Sequence, residues 1–218
     1  MSLFVTFEGT TGSGKTTQLH LLAEYLMERG YDVLTTREPG GTVIGDSIRD
    51  LLLTPQHSKM LPLTEVLLFS ASRAQLVSQV IRPHLEKGGV VLCDRYADST
   101  LAYQGYGHGL DLAFLRRITT QATGGLVPDL TLFLDLPVER GLKRRLPGPH
   151  GQLPLWGEVD RLDMQVQDFH RRVRQGYLEL AAAEPQRWKV INAHREVDEI
   201  QGEIRDYVET RLAGNADT

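Results

Sequence analysis

The sequence predicts an α/β fold built on a five-stranded parallel sheet with helices on both faces. Five short apolar runs alternate along the chain with segments whose apolar residues recur at helical spacing. Strands that are apolar throughout are typical of parallel sheets, in which each connection between strands carries a helix. The 218 residues contain no internal repeat and no linker that would divide them, so we expect one domain spanning 1–218.

Each predicted element follows from local periodicity and composition. The apolar runs expected to form strands are residues 3–7, 31–35, 90–94, 130–134 and 188–191. The segments with helical spacing are 19–26, 44–52, 63–79, 111–122 and 197–212. We expect Gly30 to end the first helix, Pro83 to mark an interruption beyond the third, and a loop to follow the third strand.

One connection, at 147–157, is too rich in Pro and Gly for a regular element. Long irregular connections in compact domains are often lids or binding loops, and the alternative is a solvated loop without function. Because arginines cluster just before it, at 140–145, we predict a lid segment at about 143–160.

Charge and cysteine content disfavour several classes of protein. The formal net charge of −4 lacks the basic excess of nucleic-acid-binding proteins, so positive charge must be concentrated locally, as at 140–145 and 171–174. No apolar run approaches membrane-spanning length, and no signal sequence is recognisable. The single cysteine, Cys93, lies in an apolar run that predicts a buried thiol. We therefore expect a cytoplasmic protein that binds neither nucleic acid nor membrane.

A glycine-rich segment between the first strand and the first helix predicts nucleotide triphosphate binding. It fits the pattern G-x-x-x-x-G-K-[ST] in the strand-to-helix context that this pattern requires. Backbone N–H groups of such a loop surround phosphate oxygens, the lysine reaches the β- and γ-phosphates, and the threonine hydroxyl ligates Mg²⁺. The predicted ATP-binding residues are Gly9, Thr10, Thr11, Gly12, Ser13, Gly14, Lys15, Thr16 and Thr17.

The glycine-rich segment alone does not distinguish a kinase from a switch GTPase or a motor ATPase. The sequence lacks the Asn-Lys-x-Asp segment of guanine-binding GTPases. Asp94 and Arg95 end the third predicted strand, at the edge where open α/β sheets bind ligands. There Asp94 can hold Mg²⁺ through water and Arg95 can neutralise a transferring phosphoryl group, and a surface ion pair is the alternative.

Further segments resemble the thymidylate kinases, and the match covers nearly the whole chain. The most specific are Arg-Glu-Pro-Gly-Gly-Thr at 37–42, Asp-Arg-Tyr at 94–96 and Ala-Tyr-Gln-Gly at 102–105, supported by 7–9, 69–75, 99–100 and 160–161. The resemblance implies a P-loop kinase fold with a lid, assembled as a homodimer. It also implies Mg²⁺-dependent phosphoryl transfer from ATP to thymidine monophosphate, a step of dTTP synthesis.

The resemblance implies roles for individual residues. Phe69 would stack on the thymine, although core packing is the simpler explanation from periodicity alone. Arg73, Thr100 and Gln104 would face the base edges, and Tyr103 would lie beneath the deoxyribose, where a 2′-hydroxyl would clash.

Phosphate and metal ligands complete the site that the resemblance implies. The acceptor phosphate would be held by Arg37 and Arg95, with Pro39 and Ser99 also at the substrate, and the metal by Thr16, Glu8 and Asp94. The residues expected to act in catalysis are Lys15, Asp94, Arg95, Arg144 and Arg145.

The sequence departs from the family pattern at two places. Many bacterial relatives carry a carboxylate at the position of Thr11, where it faces the 3′-hydroxyl of the acceptor sugar. Thr11 would either recognise that hydroxyl less stringently or only shape the loop backbone. The predicted lid is nearly devoid of arginine, so Arg144 and Arg145 before it, or Arg161 after it, must supply a cation, and His150 within it is a weaker candidate.

Two other functions fit parts of the pattern. A related P-loop phosphotransferase would act on another nucleotide or on a nucleoside, and a nucleotide-dependent switch would catalyse no transfer. The residues predicted for an acceptor site disfavour the switch, because a switch would have no use for them.

Overall fold

The five predicted strands form one parallel sheet. The structure, a computed structural model, describes residues 2–145 and 160–216. Its strands are β1 (Leu3–Glu8), β2 (Val33–Arg37), β3 (Val90–Asp94), β4 (Leu130–Asp135) and β5 (Trp188–Asn192). They are hydrogen-bonded in the order β2-β3-β1-β4-β5, with every neighbouring pair parallel. The predicted α/β class is confirmed, with β2 beginning at Val33 rather than at 31.

The strand order brings the glycine-rich loop and the end of β3 together. β1 lies at the centre of the sheet, and Phe7 is in register with both Asp94 of β3 and Leu132 of β4. β2 lies on the outer side of β3, where Arg37 is in register with Asp94. The carboxyl ends of β1, β2 and β3 therefore meet at one edge, where open parallel sheets bind ligands.

Helices cover both faces of the sheet. Their bounds are α1 (Lys15–Glu28), α2 (Val43–Leu53), α3 (Pro62–Leu76), α4 (Arg82–Glu86), α5 (Ala97–Thr100), α6 (Leu112–Thr123), α7 (Val138–Arg145), α8 (Gln167–Ala183) and α9 (Val197–Ala216). On one face α1 and α9 bury residues such as Leu22 and Ile204 against β1, β3 and β4. On the other face α6 and α8 bury residues such as Leu115 and Tyr177. Because both faces are covered, the central strands β1, β3 and β4 are almost fully buried, whereas the edge strands β2 and β5 also carry exposed polar residues.

Two predictions about helices were wrong. Pro83 does not end the helical run, and its missing N–H falls just after a turn in which the α-helical hydrogen-bond pattern already changes. A π-helical turn, Val77–Ile81, joins α3 to α4 in one continuous helical run. The expected loop after β3 contains α5 and a π-helical segment, Leu101–Gly107. Helix α8, which was not predicted from the sequence, packs closely on this segment, since a Cβ added at Gly107 would lie 2.6 Å from the Phe169 ring.

The predicted lid lies mostly outside the described residues. Only its ends, at 143–145 and at 160, are described, and His150 and the side chain of Arg145 are among the residues left out. Within the described ranges, no helix is long and apolar enough to cross a membrane.

Candidate active site

A cleft opens at the carboxyl edge of β1, β2 and β3. Its cavity of about 820 Å³ is lined by the glycine-rich loop at one end and by residues of α3 and of the π-helical segment 101–107 at the other. The predicted residues that line it are Thr11, Gly12, Ser13, Gly14, Lys15, Thr16, Thr17, Arg37, Pro39, Phe69, Asp94, Arg95, Ser99, Thr100, Tyr103, Gln104 and Arg144. Glu8 and Arg73 are buried behind the lining, where they hydrogen-bond to Ser99 and Thr100.

The glycine-rich loop has the shape of an anion-binding cradle. Gly12 and Gly14 have φ angles of 72° and 93°, which glycine adopts without strain and which turn backbone N–H groups inward. A Cβ added at Gly12 would lie 2.3 Å from the carbonyl oxygen of Gly141, so α7 packs too closely for any side chain there. Helix α1 begins at Lys15 and directs the positive end of its dipole at the loop.

Lys15 is buried within the loop. Its ammonium donates hydrogen bonds to the carbonyl oxygens of Gly9 at 3.2 Å and Thr10 at 3.0 Å. Burial, assisted by the nearby charge of Arg95, lowers the pKa of Lys15 to about 7, although Asp94 opposes the shift. A polyphosphate beside Lys15 would favour its charged form, so the loop is suited to an anionic ligand.

Thr16 and Asp94 form a pair of oxygen ligands at the entrance to the cradle. The Thr16 hydroxyl donates a hydrogen bond of 2.6 Å to Asp94 Oδ2, across the gap between α1 and the end of β3. Hydroxyl and carboxylate oxygens are hard ligands of the kind that small divalent cations prefer. The pair therefore fits a divalent metal whose remaining ligands come from phosphate and water.

Arg95 is held in a strained conformation that aims its side chain into the cleft. Its φ angle of 69° is the only positive one among non-glycine residues of the described ranges. The guanidinium donates to the hydroxyl oxygens of Ser99 at 3.2 Å, Tyr103 at 3.1 Å and Tyr177 at 3.3 Å. Burial disfavours its charge, but the phenol and carboxylate groups around it raise the pKa of Arg95 above its ordinary value. Arg95 therefore remains a fixed cation.

Glu8 is occupied by protein donors. Its carboxylate accepts hydrogen bonds from the backbone N–H of Tyr96 at 2.8 Å, from Ser99 at 2.6 Å and from Tyr177 at 2.7 Å. Burial raises the pKa of Glu8 to about 7, with a further contribution from Asp98. Glu8 thus orients two of the hydroxyl groups that receive hydrogen bonds from the neighbouring arginine.

Two arginines lie where β2 and α2 approach the cleft. Arg37 is 57 % exposed, and its guanidinium lies 3.6 Å from Asp46. Arg49, which the sequence did not predict, donates to the carbonyl oxygen of Pro39 at 2.9 Å and lines the cleft. Burial and the nearby charge of Arg37 lower the pKa of Arg49. An anion bound between the two arginines would relieve this repulsion.

Arg73 is one of the most deeply buried charges in the described ranges, at 1 % exposure. Its guanidinium pairs with Glu38 at 2.6 Å and donates to Thr100 Oγ1 at 3.1 Å and to the carbonyl oxygen of Tyr96 at 3.2 Å. Burial raises the pKa of Glu38, while Arg73 opposes that rise. Arg73 is therefore rigidly oriented against Thr100, which lines the cleft.

The aromatic residues predicted for the acceptor end also reach the cleft. Phe69 is half-buried and lines the cavity, whereas Val66 is buried in the core and Leu67 is 52 % exposed. This arrangement favours the cleft over the core for Phe69. The Tyr103 ring lies 5.0 Å from the guanidinium carbon of Arg95, as in a cation–π contact.

Comparison with known proteins identifies the family. The family described as "Thymidylate kinase" matches residues 7–204. The thymidylate kinase of Roseiflexus castenholzii is 56% identical over 218 residues, which cover 98% of this chain and 95% of that protein. The chain belongs to the thymidylate kinase family. The thymidylate kinase of Deinococcus radiodurans is 54% identical over 202 residues, which cover 93% of this chain and 94% of that protein.

A solved relative shares the fold. The crystal structure of thymidylate kinase from Ehrlichia chaffeensis matches with a TM-score of 0.76 at 35% identity, over 95% of this chain and 98% of that chain. The five-stranded parallel sheet of the P-loop kinase type is therefore shared with this family.

The two described arginines at the ends of the predicted lid lie in different environments. Arg144, on α7, donates to the carbonyl oxygen of Gly12 at 3.2 Å and lines the cleft beside the cradle. Arg161 is buried, donating to Glu65 at 2.7 Å and to the carbonyl oxygen of Leu52 at 3.1 Å. Arg144 is thus placed beside the glycine-rich loop, whereas Arg161 anchors the chain after the predicted lid to α2 and α3.

Thr11, where the chain departs from the family pattern, contacts a carboxylate from another part of the chain. Its hydroxyl donates a hydrogen bond of 2.5 Å to Asp163 Oδ1. Asp163 is buried and also lines the cleft. A carboxylate is therefore present beside position 11 although the sequence has threonine there.

Several residues of the cleft were not found from the sequence. They are Glu38, which lies within the motif at 37–42, Arg49 and Asp163, together with Glu65, which is buried behind the lining. For Arg49 a local signal existed, since it follows Asp46 by three residues on the helix after the motif at 37–42. The partners of the other three are more than 30 residues away in sequence, so no local pattern could reveal them.

Proposed function

We propose that the residues of this cleft carry out ATP-dependent phosphorylation of thymidine monophosphate to the diphosphate. Family membership shows this activity, which belongs to the synthesis of dTTP. The observation that supports the residue assignment is that one cavity joins the phosphate cradle to the aromatic and polar wall at its other end. Arg95 lies between them and is the residue best placed to contact the transferring group.

The cradle end binds the triphosphate of ATP. The loop N–H groups and the N-terminus of α1 surround the phosphates, and Lys15 contacts the β- and γ-phosphates. Lys15 leaves its contacts with the carbonyl oxygens of Gly9 and Thr10 to do so. Arg144, beside Gly12, supplies the cation that the predicted lid lacks. Arg145 remains a second candidate, although its side chain lies outside the described residues.

Thr16 and Asp94 hold the divalent metal, for which we propose Mg²⁺. The Thr16 hydroxyl and the Asp94 carboxylate would hold the ion, whose positive charge would offset that of the phosphate groups. Glu8 is less suited to the metal, because both of its oxygens already accept protein hydrogen bonds. We propose instead that Glu8 positions Ser99 and, through it, Arg95.

Phosphoryl transfer then depends on positioning and electrostatics, because the protein has little covalent chemistry to perform. Arg37 and Arg49 hold the acceptor phosphate from the side of β2 and α2, and Arg95 holds it from the end of β3. Arg95 also neutralises the charge that develops as the phosphoryl group moves. Its strained backbone and its three hydroxyl partners keep the guanidinium in place without reorganisation.

The acceptor base occupies the wall formed by α3 and the π-helical segment. Phe69 stacks on the thymine ring, Thr100 and Gln104 face its polar edge, and Arg73 holds Thr100 from behind the lining. Tyr103 lies beneath the deoxyribose, with its hydroxyl fixed by Arg95. A methyl group in an apolar pocket is worth roughly 1–3 kcal/mol, so deoxyuridine monophosphate should be a poorer but detectable substrate.

The test is a coupled ATP-consumption assay against a panel of nucleoside monophosphates and nucleosides. We expect thymidine monophosphate to give the highest kcat/KM and guanosine monophosphate to be strongly rejected, since polar groups of the pocket would be left unpaired. Activity should disappear with EDTA and return with Mg²⁺. A guanosine monophosphate kcat/KM equal to that of thymidine monophosphate would refute the base assignment.

We also propose that the enzyme is a homodimer that works in the cytoplasm. Helix α3 exposes an apolar stripe at helical spacing, formed by Leu63, Leu67, Ala71 and Ala74. A second copy of the chain would cover this stripe in a symmetric contact. The buried thiol of Cys93 is compatible with a reducing compartment.

Analytical ultracentrifugation tests the dimer. Leu67→Glu should shift the protein toward the monomer, because a charge would be buried in the contact. Met27→Glu, at a residue with 50 % exposure on α1, is the matched control and should remain dimeric. A monomeric wild-type protein at micromolar concentration would contradict the proposal.

A further inference from the structure

Glu65, on α3, is fully buried beneath the acceptor end of the cleft. Its Oε2 accepts a hydrogen bond of 3.0 Å from the amide nitrogen of Gln104, and its Oε1 accepts one of 2.7 Å from Arg161. We propose that Glu65 is a positioning residue for base selection, which orients the Gln104 amide so that its carbonyl oxygen faces the base. The inference rests on the proposed function, because it assumes that Gln104 contacts the thymine.

The orientation of the Gln104 amide follows from the chemistry of its partner. An ionised carboxylate can only accept hydrogen bonds, so the NH₂ group of Gln104 and not its oxygen must face Glu65. Gln104 is 1 % exposed and lines the cleft, so its side chain has little room to adopt another position. In the described part of the chain, no donor forms a hydrogen bond with Gln104 Oε1, which leaves this oxygen to accept one from a ligand.

The surroundings of Glu65 keep it ionised and fixed. Arg161 pairs with it and is itself tied to the carbonyl oxygen of Leu52 at 3.1 Å. His108 Nε2 lies 3.5 Å from the other carboxylate oxygen. Burial alone would raise the pKa of Glu65, but contacts with His108, Arg161 and Gln104 outweigh it and lower the pKa. The carboxylate therefore acts as an obligate acceptor at neutral pH.

An acceptor at this place selects for one class of pyrimidine. Thymine and uracil carry a hydrogen on N3, which a carbonyl oxygen can accept, whereas N3 of cytosine is itself an acceptor. The oxygen of Gln104 would therefore face a lone pair of cytosine with no hydrogen between them. If the amide were reversed, its NH₂ group would favour cytosine and oppose thymine. Selection for the 5-methyl group of thymine does not involve this contact.

Glu65→Gln is the direct test, assayed at pH 8 by the coupled ATP assay. The new amide can present either its oxygen or its nitrogen, so the Gln104 amide loses its obligate orientation. We expect the ratio of kcat/KM for thymidine monophosphate to that for deoxycytidine monophosphate to fall by about tenfold or more. The ratio of kcat/KM for thymidine monophosphate to that for deoxyuridine monophosphate should stay within about twofold of the wild-type value. Wild-type activity on thymidine monophosphate tests the proposed function separately.

Arg161→Gln is the matched control, because it breaks the same buried ion pair, while contacts with His108 and Gln104 and the assay pH of 8 favour Glu65 as an ionised acceptor. It should lower thermal stability about as much as Glu65→Gln does and leave the thymidine-to-deoxycytidine ratio unchanged. If the single variants fail to fold, Glu65→Met combined with Arg161→Met replaces the pair by apolar groups, a change that is often neutral for stability. This double variant should show the same fall in the ratio.

The inference would be overturned if the folded Glu65 variants kept the wild-type ratio of kcat/KM for thymidine monophosphate to that for deoxycytidine monophosphate. A fall of equal size in Arg161→Gln would also overturn it, because the ratio would then report general damage to the acceptor end. If the wild-type enzyme does not phosphorylate thymidine monophosphate, the proposed function is refuted, and this result does not depend on the Glu65 variants.

Discussion

Arg73→Met removes the cation from the buried pair behind the acceptor site. The guanidinium lies 2.6 Å from Glu38 and is 1 % exposed, and it also donates to Thr100 and to the backbone of Tyr96. Methionine is flexible and apolar and can fill the space of the aliphatic part of arginine without forcing the helix to move, although it is too short to reach Glu38. The main effect is therefore electrostatic, because the Glu38 carboxylate stays buried without its partner.

The size of the effect follows from this geometry. Breaking a buried pair by removing one partner costs about 3–5 kcal/mol of unfolding free energy. For a chain of this length, 1 kcal/mol corresponds to a shift of roughly 2–4 °C in Tm, so we expect Tm to fall by about 10 °C. Arg171→Met removes an exposed pair with Glu139 at 2.8 Å, should leave Tm nearly unchanged because solvent screens this pair, and serves as the surface control.

The pH dependence of this loss has a definite sign. Burial already raises the pKa of Glu38, and Arg73 opposes the rise, so removing Arg73 raises the pKa further. An acid whose pKa is higher in the folded state destabilises that state as pH rises above its ordinary value. The difference in Tm between wild type and Arg73→Met should therefore be larger at pH 8 than at pH 5.

Thermal unfolding followed by circular dichroism measures this at both pH values. Adding Glu38→Gln to Arg73→Met should recover part of the stability at pH 8, because no buried charge remains. The same variants should show a raised KM for thymidine monophosphate, since Thr100 loses its donor. A fall in Tm of less than 2 °C, or one that is equal at pH 5 and pH 8, would refute the electrostatic explanation.

Three further predictions concern the phosphate end. Lys15→Ala and Arg95→Ala should each lower kcat by a factor corresponding to about 3 kcal/mol or more. If Arg95→Ala changed only the KM for the acceptor, Arg95 would bind substrate without acting in the transfer. Thr11→Glu should lower kcat/KM, because it places a second carboxylate beside Asp163. Adding Asp163→Asn should restore activity. A Thr11→Glu enzyme with wild-type activity would show that position 11 is remote from Asp163 in solution. Burial raises the pKa of Glu8 to about 7, so the unfolding free energy of the wild-type protein should decline between pH 5 and pH 7.5. Glu8→Gln should abolish this decline. A decline of the same size in the variant would show that other groups cause it.

Local chemistry in the sequence determined the class of fold and the donor end of the site. The strands, the cradle and the end of β3 each depend on residues that are adjacent in sequence, and the parallel sheet follows from their alternation with helices. The motif at 37–42 and the pair Ser99–Thr100 pointed to the acceptor only through the resemblance to the thymidylate kinases. All of these reach a single cleft.

Tertiary structure alone decided how the acceptor end is held. The π-helical segment 101–107 was expected to be a loop, because its conformation depends on close packing against α8, which no local periodicity encodes. The periodicity of the sequence could not assign Phe69 to core or cleft, because the assignment depends on which face of α3 packs against the rest of the fold. The contacts of Glu65, of Arg73 with Glu38 and of Thr11 with Asp163 join residues more than 30 positions apart. Such pairs form only when folding buries both groups, so sequence spacing carries no record of them.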